Sequence, residues 1–412
     1  MKPLRIAFIV SEFPVLSETF ILNQMTGLLD MGHELTIFSE RNSKASKVHE
    51  DINKYKLLER VYYSNMPSNK ISRLLKALYL ILINFYKAPS IILKSLNIYK
   101  YGKPASSLRL LYNMIPFLDK DFDIIHCHFG HNGIIGALLK DIGVQGKIVT
   151  SFYGYDLPTY AEKNNYKIYE NLFHKGDIFI GICDHFKKSL VNLGCNEKKI
   201  IIHHLGVDIQ KFQFSIRNIK TGEPTRILTI GRLVEKKGLE FVIRALAKIL
   251  QHNKSIRYLI AGEGPLEKEL KRISLQLNVD HAIEFYGAIE QKEVIKLYKQ
   301  AHIFILPSIT VHYGEQEGTP TVLMEAQSTG LPVISTYHSG IPEAIIDGKS
   351  GFLVPEKDID ALVEKLEYLI EHKESWPEMG KRGRKLIEEE YNIKNLVQKL
   401  IALYQNVVEQ EI

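Results

Sequence analysis

The stretch RILTIGRLVEKKGLEFVIRALAKILQ, from Arg226 to Gln251, decides how the rest of the chain is read. Arg226–Ile230 is a short, aliphatic run without strict polar/apolar alternation. Such a run suits a strand buried on both faces of a parallel sheet. Gly231 ends it, and a charged loop follows. From Leu239 the apolar residues recur at helical spacing as far as Gln251. Strand, charged loop and helix together make one βα unit.

The unit repeats in both directions. Downstream, strands are predicted at Tyr258–Ala261, Ile283–Gly287, Ile303–Pro307, Pro332–Thr336 and Gly351–Pro355, with helical patterns between them, such as Glu290–Ala301. Upstream, they are predicted at Arg5–Val10, Glu34–Phe38, Asp123–Phe129, Lys147–Phe152, Asp177–Ile182 and Lys199–His204. The polar segment Gly206–Arg226, with its Gly and Pro, interrupts the rhythm and reads as a linker. A helix of roughly Asn392–Val408 closes the chain. The predicted architecture is α/β, with two doubly wound domains: residues 1–205, a linker over 206–225, residues 226–388, and a final helix within 389–412. In such sheets ligands bind beyond the carboxyl ends of the strands. With two domains, the deepest site is expected in the cleft between them.

A chain of 412 residues with 45% hydrophobic and 24% charged residues fits two soluble domains. Cys127, Cys183 and Cys195 show no paired or metal-like spacing, which suits a reducing cytosol. MKPLRIAFIV enters a strand directly and lacks the pattern of a signal peptide. No apolar run reaches the roughly 18 residues of a membrane span.

The net charge of +6 is unevenly spread. Between Glu59 and Asp119 there is no acidic residue, while nine basic ones occur: Arg60, Lys70, Arg73, Lys76, Lys87, Lys94, Lys100, Lys103 and Arg109. Inside this segment Ile71, Leu74, Leu75, Leu78, Leu82 and Phe85 recur at helical spacing. A domain helix buried on one side gives this pattern, and so does a helix on an anionic membrane surface. The acid-free segment as a whole favours membrane contact.

Two places carry candidate chemistry in the second half. Arg232 and Lys237 follow a strand and precede a helix, where a fork-shaped and a point-like cation suit a pyrophosphate. EGTPTVLMEA, Glu317–Ala326, sets one carboxylate on each side of a helix start. Thr319 is the expected N-cap and Pro320 the first helical residue. The amides of Thr321 and Val322 then face an anion at the positive helix end. Carboxylates beside a bound anion make sense when they accept hydrogen bonds from sugar hydroxyls.

These motifs carry a resemblance. Glu317 and Glu325 with seven residues between them, PS at Pro307–Ser308, GLPVISTYHSGIPEAIIDGKSGFLVP at Gly330–Pro355, GRLVEKKG at Gly231–Gly238 and AGEGP at Ala261–Pro265 resemble the nucleotide-sugar site of family-4 glycosyltransferases. The resemblance implies the GT-B fold, retention of anomeric configuration, no metal or other cofactor, a UDP- or GDP-sugar donor, and a last helix that crosses back onto the first domain. By the same resemblance Arg232 and Lys237 hold the donor diphosphate. The backbone of Gly231 and of Gly318, Thr319, Thr321 and Val322 cradles phosphate and sugar. Glu317 takes donor-sugar hydroxyls and Glu325 ribose hydroxyls. GEQEG also offers Glu315, but the spacing selects Glu317.

In the first half, SEFPVLSETFI at Ser11–Ile21 is similar to a subgroup that builds bacterial exopolysaccharide and lipopolysaccharide. Ser17 and Glu18 would then face the donor; Ser17 is equally a good N-cap. His126 and His128 share one face of a strand end. His128 matches the histidine placed near donor sugar and acceptor. Tyr153 replaces a histidine of the family segment, and Asp156 is retained; both are expected on the acceptor side. Through this resemblance we expect a hexosyltransferase acting on a lipid-linked glycan, peripheral on the inner face of the cytoplasmic membrane and without nucleic-acid partners. A sugar-nucleotide epimerase or phosphorylase of the same fold, or a non-catalytic sugar-nucleotide-binding subunit, is the alternative. A dinucleotide-binding oxidoreductase is excluded, because no glycine follows the first strand.

Overall fold

The computed structural model describes residues 2–15, 18–43, 48–154, 156–312 and 316–409. The chain divides into two compact units. The first holds the residues up to Gly181, Lys187–His203 and those from Val397 onward; the second holds Ile182–Phe186 and His204–Leu396.

The first unit is built on a parallel sheet of seven strands: β1 (Arg5–Phe13), β2 (Glu34–Asn42), β3 (Val61–Tyr63), β4 (Ile124–His128), β5 (Lys147–Phe152), β6 (Ile178–Gly181) and β7 (Ile200–Ile202). Their order is β3-β2-β1-β4-β5-β6-β7. The chain therefore starts in the middle and winds outward both ways, as in a doubly wound fold. Strand β3 has no counterpart in the sequence prediction. It is a three-residue edge strand whose side chains are exposed or half-buried, too short to leave a pattern.

The second unit has β8 (Thr225–Ile230), β9 (Ile256–Ala261), β10 (Ile283–Gly287), β11 (Ile303–Leu306), β12 (Val333–Thr336) and β13 (Gly351–Val354), all parallel, in the order β10-β9-β8-β11-β12-β13. Ile227, Tyr258, Ile303 and Ile305 are fully buried beneath the helix Leu239–Ile249, which contributes Val242, Ile243 and Leu246. Each fully buried aliphatic side chain of this kind is worth about 1.5–3 kcal/mol relative to exposure.

Residues 206–225, expected as a linker, belong to the second unit. Phe212 is buried, the amide of Ser215 donates to Thr329 O, and buried Arg217 donates to Lys299 O and Thr329 O. A polar composition concealed these anchors. The last helix, Ile393–Glu409, is part of the first unit from Val397 on. There Tyr404 bonds His126, and Val397 lies so close to Gly27 that a Cβ at that glycine would sit 2.7 Å from it.

The helix Lys70–Asn84 turns its apolar stripe outward. Ile71, Leu74, Leu75, Leu78, Leu82 and Phe85 are all exposed, Leu82 at 76%, and Tyr86 beyond its end is 78% exposed. Only Ala77 and Asn84 are buried. The cations there behave differently from a free basic face. Arg73 donates to Pro67 O, Ser68 O and Ser107 O, Lys76 to Asn65 O, and Lys87 pairs with Asp119 at 2.6 Å. Among the described residues no helix is long and apolar enough to cross a membrane.

Candidate active site

The donor-type residues gather at the carboxyl ends of β8, β9, β11 and β12. The loop after β8 carries Arg232 and Lys237 and ends at Gly238, whose left-handed backbone (φ 67°) starts the helix at Leu239. A Cβ at Gly238 would come within 1.9 Å of Pro307 O, so the loop can lie against the PS turn only with glycine there. The loop after β9 touches the same place: a Cβ at Gly262 would sit 1.9 Å from Gly231 O. The glycines of the GRLVEKKG and AGEGP motifs thus let three loops converge.

Lys237 is buried, and its Nζ lies 2.8 Å from Glu317 Oε2, with the two side chains 10% and 17% exposed. Burial alone would push the Glu317 carboxyl up. The ammonium groups of Lys237 and Lys236 outweigh it and hold the carboxyl down at about 2. Glu317 is therefore a fixed negative charge. Arg232 is exposed and its guanidinium makes no ion pair or hydrogen bond with a described residue, so its fork is open to an anion.

The helix after the EGTP turn is Thr321–Ser328, with Pro320, not Thr319, at the N-cap and no side-chain cap. Thr319 is drawn away: its buried hydroxyl donates to Gly340 O. The first-turn amides of Thr321 and Val322 accordingly have no capping oxygen, and both residues are half-buried. Gly318 and Thr319 are buried just ahead of them. Glu325 is half-buried further along the helix, and burial pushes its carboxyl up to about 7; the hydroxyl of Tyr298, 3.0 Å from both Glu325 Oε2 and Val322 O, pulls the other way.

Sequence reasoning overlooked a relay behind Glu317. The Glu317 amide donates to His338 Nε2 at 2.9 Å, and His338 Nδ1 lies 2.6 Å from Glu356 Oε1. Glu356 is itself fixed by the amide and hydroxyl of Thr310. Since Nε2 accepts, the proton sits on Nδ1 and His338 is neutral; burial, which lowers its pKa, favours the same form. The histidine of YHSGIPE was quoted in the motif, but nothing in its spacing marks it as a support for a loop twenty residues earlier.

In the first unit His126 and His128 do share a face, with ring centroids 4.2 Å apart. Both nitrogens of His126 are taken, by Tyr404 and Ser151 hydroxyls at 2.6 and 2.7 Å. His128 Nδ1 contacts the Tyr153 hydroxyl at 2.7 Å, and its Nε2 is buried without a protein partner. Burial lowers the His128 pKa to about 3, so this imidazole is neutral. Tyr153 therefore orients His128. Asp156, read as an acceptor-side group, is a fully buried loop clamp: its oxygens accept the amides of Gly130, Tyr153 and Gly154. Glu18 is half-buried at the start of the helix Thr19–Asp30, and burial with the nearby Glu12 charge raises its carboxyl to about 7. Ser17 and Glu315 lie outside the described residues.

Residues 210–386 match the family model described as glycosyl transferases group 1, and residues 17–211 that of glycosyltransferase family 4. The chain is 34% identical to the putative colanic acid biosynthesis glycosyltransferase WcaL of Salmonella typhimurium, over 98% of this chain and all of that one. The chain belongs to glycosyltransferase family 4. To the amylovoran biosynthesis glycosyltransferase AmsK of Erwinia amylovora it is 34% identical, covering 94% of this chain and 96% of the relative. The fold is GT-B. HepE of Anabaena, solved in complex with UDP, superposes with a TM-score of 0.72 at 15% identity, covering 98% of this chain and all of that one. A glycosyltransferase from Rickettsia africae gives 0.73 at 18% identity over both full chains.

Proposed function

We propose that the chain is a retaining, metal-independent hexosyltransferase. It moves a sugar from a UDP- or GDP-donor to a lipid-linked glycan in exopolysaccharide or lipopolysaccharide biosynthesis, on the inner face of the cytoplasmic membrane. One observation carries the reading: a half-buried, ionised Glu317 paired with buried Lys237 ahead of an uncapped helix start. A carboxylate fixed beside an anion site suits hydroxyls that flank a phosphate. The biosynthetic setting is supported by the printed roles of the colanic acid and amylovoran relatives, and the nucleotide-sugar donor by the UDP in the HepE structure.

In this reading the chemistry is chiefly leaving-group stabilisation. Arg232, Lys237 and the amides of Thr321 and Val322 meet the charge that develops on the departing diphosphate. Glu317 accepts hydroxyls of the donor hexose, and Glu325 those of the ribose. His128, neutral and with Nε2 unpartnered, offers a hydrogen bond to a sugar hydroxyl. Departure and acceptor attack occur on one face of the sugar, with no carboxylate serving as nucleophile. Membrane attachment is supported by the outward apolar stripe of the helix Lys70–Asn84. Because Arg73, Lys76 and Lys87 are already engaged, adhesion rests on apolar area more than on charge, with exposed Arg60, Lys70, Lys94 and Lys103 supplying the remainder.

The test is a screen of UDP- and GDP-sugars for release of nucleoside diphosphate, with membrane extract as acceptor source. The reading expects acceptor-dependent release from one of them. Binding without release from any would favour the non-catalytic alternative.

A further inference from the structure

Glu317 and the free amides after it stand on a loop that is held from behind at three points. The Gln316 side chain meets His185 Nε2 at 2.8 Å. The Glu317 amide donates to His338 Nε2 at 2.9 Å. The Thr319 hydroxyl donates to Gly340 O. Two of these holds come from the turn just beyond β12. That turn lies so close that a Cβ at Gly340 would sit 2.6 Å from the Thr319 hydroxyl oxygen.

Of the three, only the hold at His338 grips the backbone of the residue that carries the carboxylate, and its direction depends on a proton. His338 is buried, and its Nδ1 lies 2.6 Å from Glu356 Oε1. Glu356 is itself pinned: Oε2 accepts the Thr310 amide at 2.8 Å and Oε1 the Thr310 hydroxyl at 3.1 Å. Burial would raise the Glu356 carboxyl, but the Thr310 amide and His338 hold it below its ordinary value. An ionised carboxylate only accepts, so it draws the His338 proton to Nδ1. Nε2 then keeps the lone pair that the Glu317 amide needs. Thr310, His338 and Glu356 stand just beyond β11, β12 and β13, neighbouring strands of one sheet. The place of the Glu317 backbone is thereby referred to the sheet itself.

We propose that His338 and Glu356 are positioning residues for the transfer: they fix the Glu317 amide, and with it the carboxylate paired with Lys237, where the donor hexose meets it. The assignment rests on the transferase reading above. Both residues act through Glu317 and touch no reacting atom.

The same arrangement makes the hold sensitive to acid. A second proton turns Nε2 into a donor, which then faces the Glu317 N–H donor to donor. The titratable groups around the ring are Glu356 beyond β13, Glu317 in the loop, and His185 on the helix Asp184–Asn192. Burial, with His185, lowers the His338 pKa and outweighs the pull of Glu356 and Glu317. The hold is therefore intact at pH 7 and lost in more acid solution.

The experiment uses the full chain and the sugar nucleotide that the screen identifies. His338→Phe keeps a ring and removes the acceptor. His338→Gln keeps an acceptor oxygen and does not titrate. Glu356→Gln sets an NH₂ group against either the Thr310 amide or the His338 Nδ1 proton. His338→Phe and Glu356→Gln should each lower kcat about tenfold or more, as a buried amide left unsatisfied implies, with KM and the affinity for UDP or GDP nearly unchanged. His338→Gln should restore most of the rate. At saturating donor the parent's kcat should fall in acid, and His338→Gln should lose that fall. Nitrogen NMR on labelled protein reads the same hold without turnover. At pH 7 His338 should carry its proton on Nδ1 alone, and the Glu317 amide resonance should shift as His338 titrates in the parent; no such shift should occur in His338→Gln. Should His338→Phe not fold, the two glutamine variants carry the comparison. The proposal is overturned if His338→Phe and Glu356→Gln turn over like the parent, if kcat falls only together with nucleotide affinity, if His338→Gln is no better than His338→Phe or keeps the acid fall, or if Nε2 carries the proton at pH 7. If no sugar nucleotide turns over, the transferase reading falls, and the NMR arm alone decides whether His338 and Glu356 hold Glu317.

Discussion

Replacing Lys237 with methionine keeps the side-chain stem and removes the charge that holds Glu317. Two consequences follow. The first concerns stability. The Glu317 carboxyl sits at about 2 against an ordinary value of 4.5, a difference worth ~3 kcal/mol at neutral pH. Lys236 supplies part of it and burial opposes it, so Lys237→Met should cost on the order of 3 kcal/mol. The sign follows from the direction: a depressed carboxyl contributes stability above pH 4.5 that is lost as the pH falls through about 2. The deficit should therefore be full at pH 7 and shrink in acid. The second consequence is catalytic. Losing a charge-assisted phosphate contact should lower turnover by about 10²–10³-fold. Adding Glu317→Gln to Lys237→Met separates the two effects, because the second change removes the stranded charge: stability should return while turnover does not. Urea denaturation at pH 7 and donor turnover on the same four proteins complete the cycle. The reasoning is refuted if Lys237→Met is as stable and active as the parent, or if Glu317→Gln adds a further loss in place of relief.

Arg232→Ala should reduce turnover more than tenfold with unchanged stability, since Arg232 is exposed and holds nothing else; near-normal kinetics would remove it from the phosphate site. Glu325→Gln should act mainly on donor affinity. In the parent, donor affinity should fall as the pH drops below about 7, because the carboxyl, raised to that value by burial, must ionise to accept ribose hydroxyls; calorimetry in buffers of different ionisation heat should register proton release, and a pH-independent affinity would contradict this. Changing Leu75, Leu82 and Tyr86 to serine should weaken sedimentation with anionic liposomes at least tenfold, whereas high salt should release the parent only in part. Equal binding by parent and variant, or none, would end the membrane proposal.

Much of the fold was legible because parallel strands buried on both faces are short aliphatic runs, and Arg226–Ile230, Ile303–Leu306 and Gly351–Val354 are all of that kind. What escaped notice depends on tertiary partners. Val61–Tyr63 pairs at a sheet edge without a buried pattern. Arg217 looks like a linker residue until its carbonyl partners are known. The apolar stripe at Ile71–Phe85 was visible, but not that it faces outward, nor that Arg73, Lys76 and Lys87 would be engaged locally. At the site, Lys237, Glu317 and Glu325 were singled out by their placement and by the family resemblance; the structure brings Lys237 against Glu317, while Glu325 takes the Tyr298 hydroxyl. Thr319 lost its expected capping role to Gly340, a contact across twenty-one residues. Asp156 was conspicuous as a charge, yet three backbone amides occupy it. The His338–Glu356 support joins separate loops, which a linear pattern does not encode.

The central claim is transfer of a hexose from a sugar nucleotide with retention and without metal. The most direct measurement is the proton NMR spectrum of the product formed in the presence of a chelator from the active donor of the screen. The account predicts undiminished product whose new anomeric proton has the same α or β configuration as the donor. An inverted anomeric centre, or loss of product that added Mn²⁺ or Mg²⁺ restores, would contradict it.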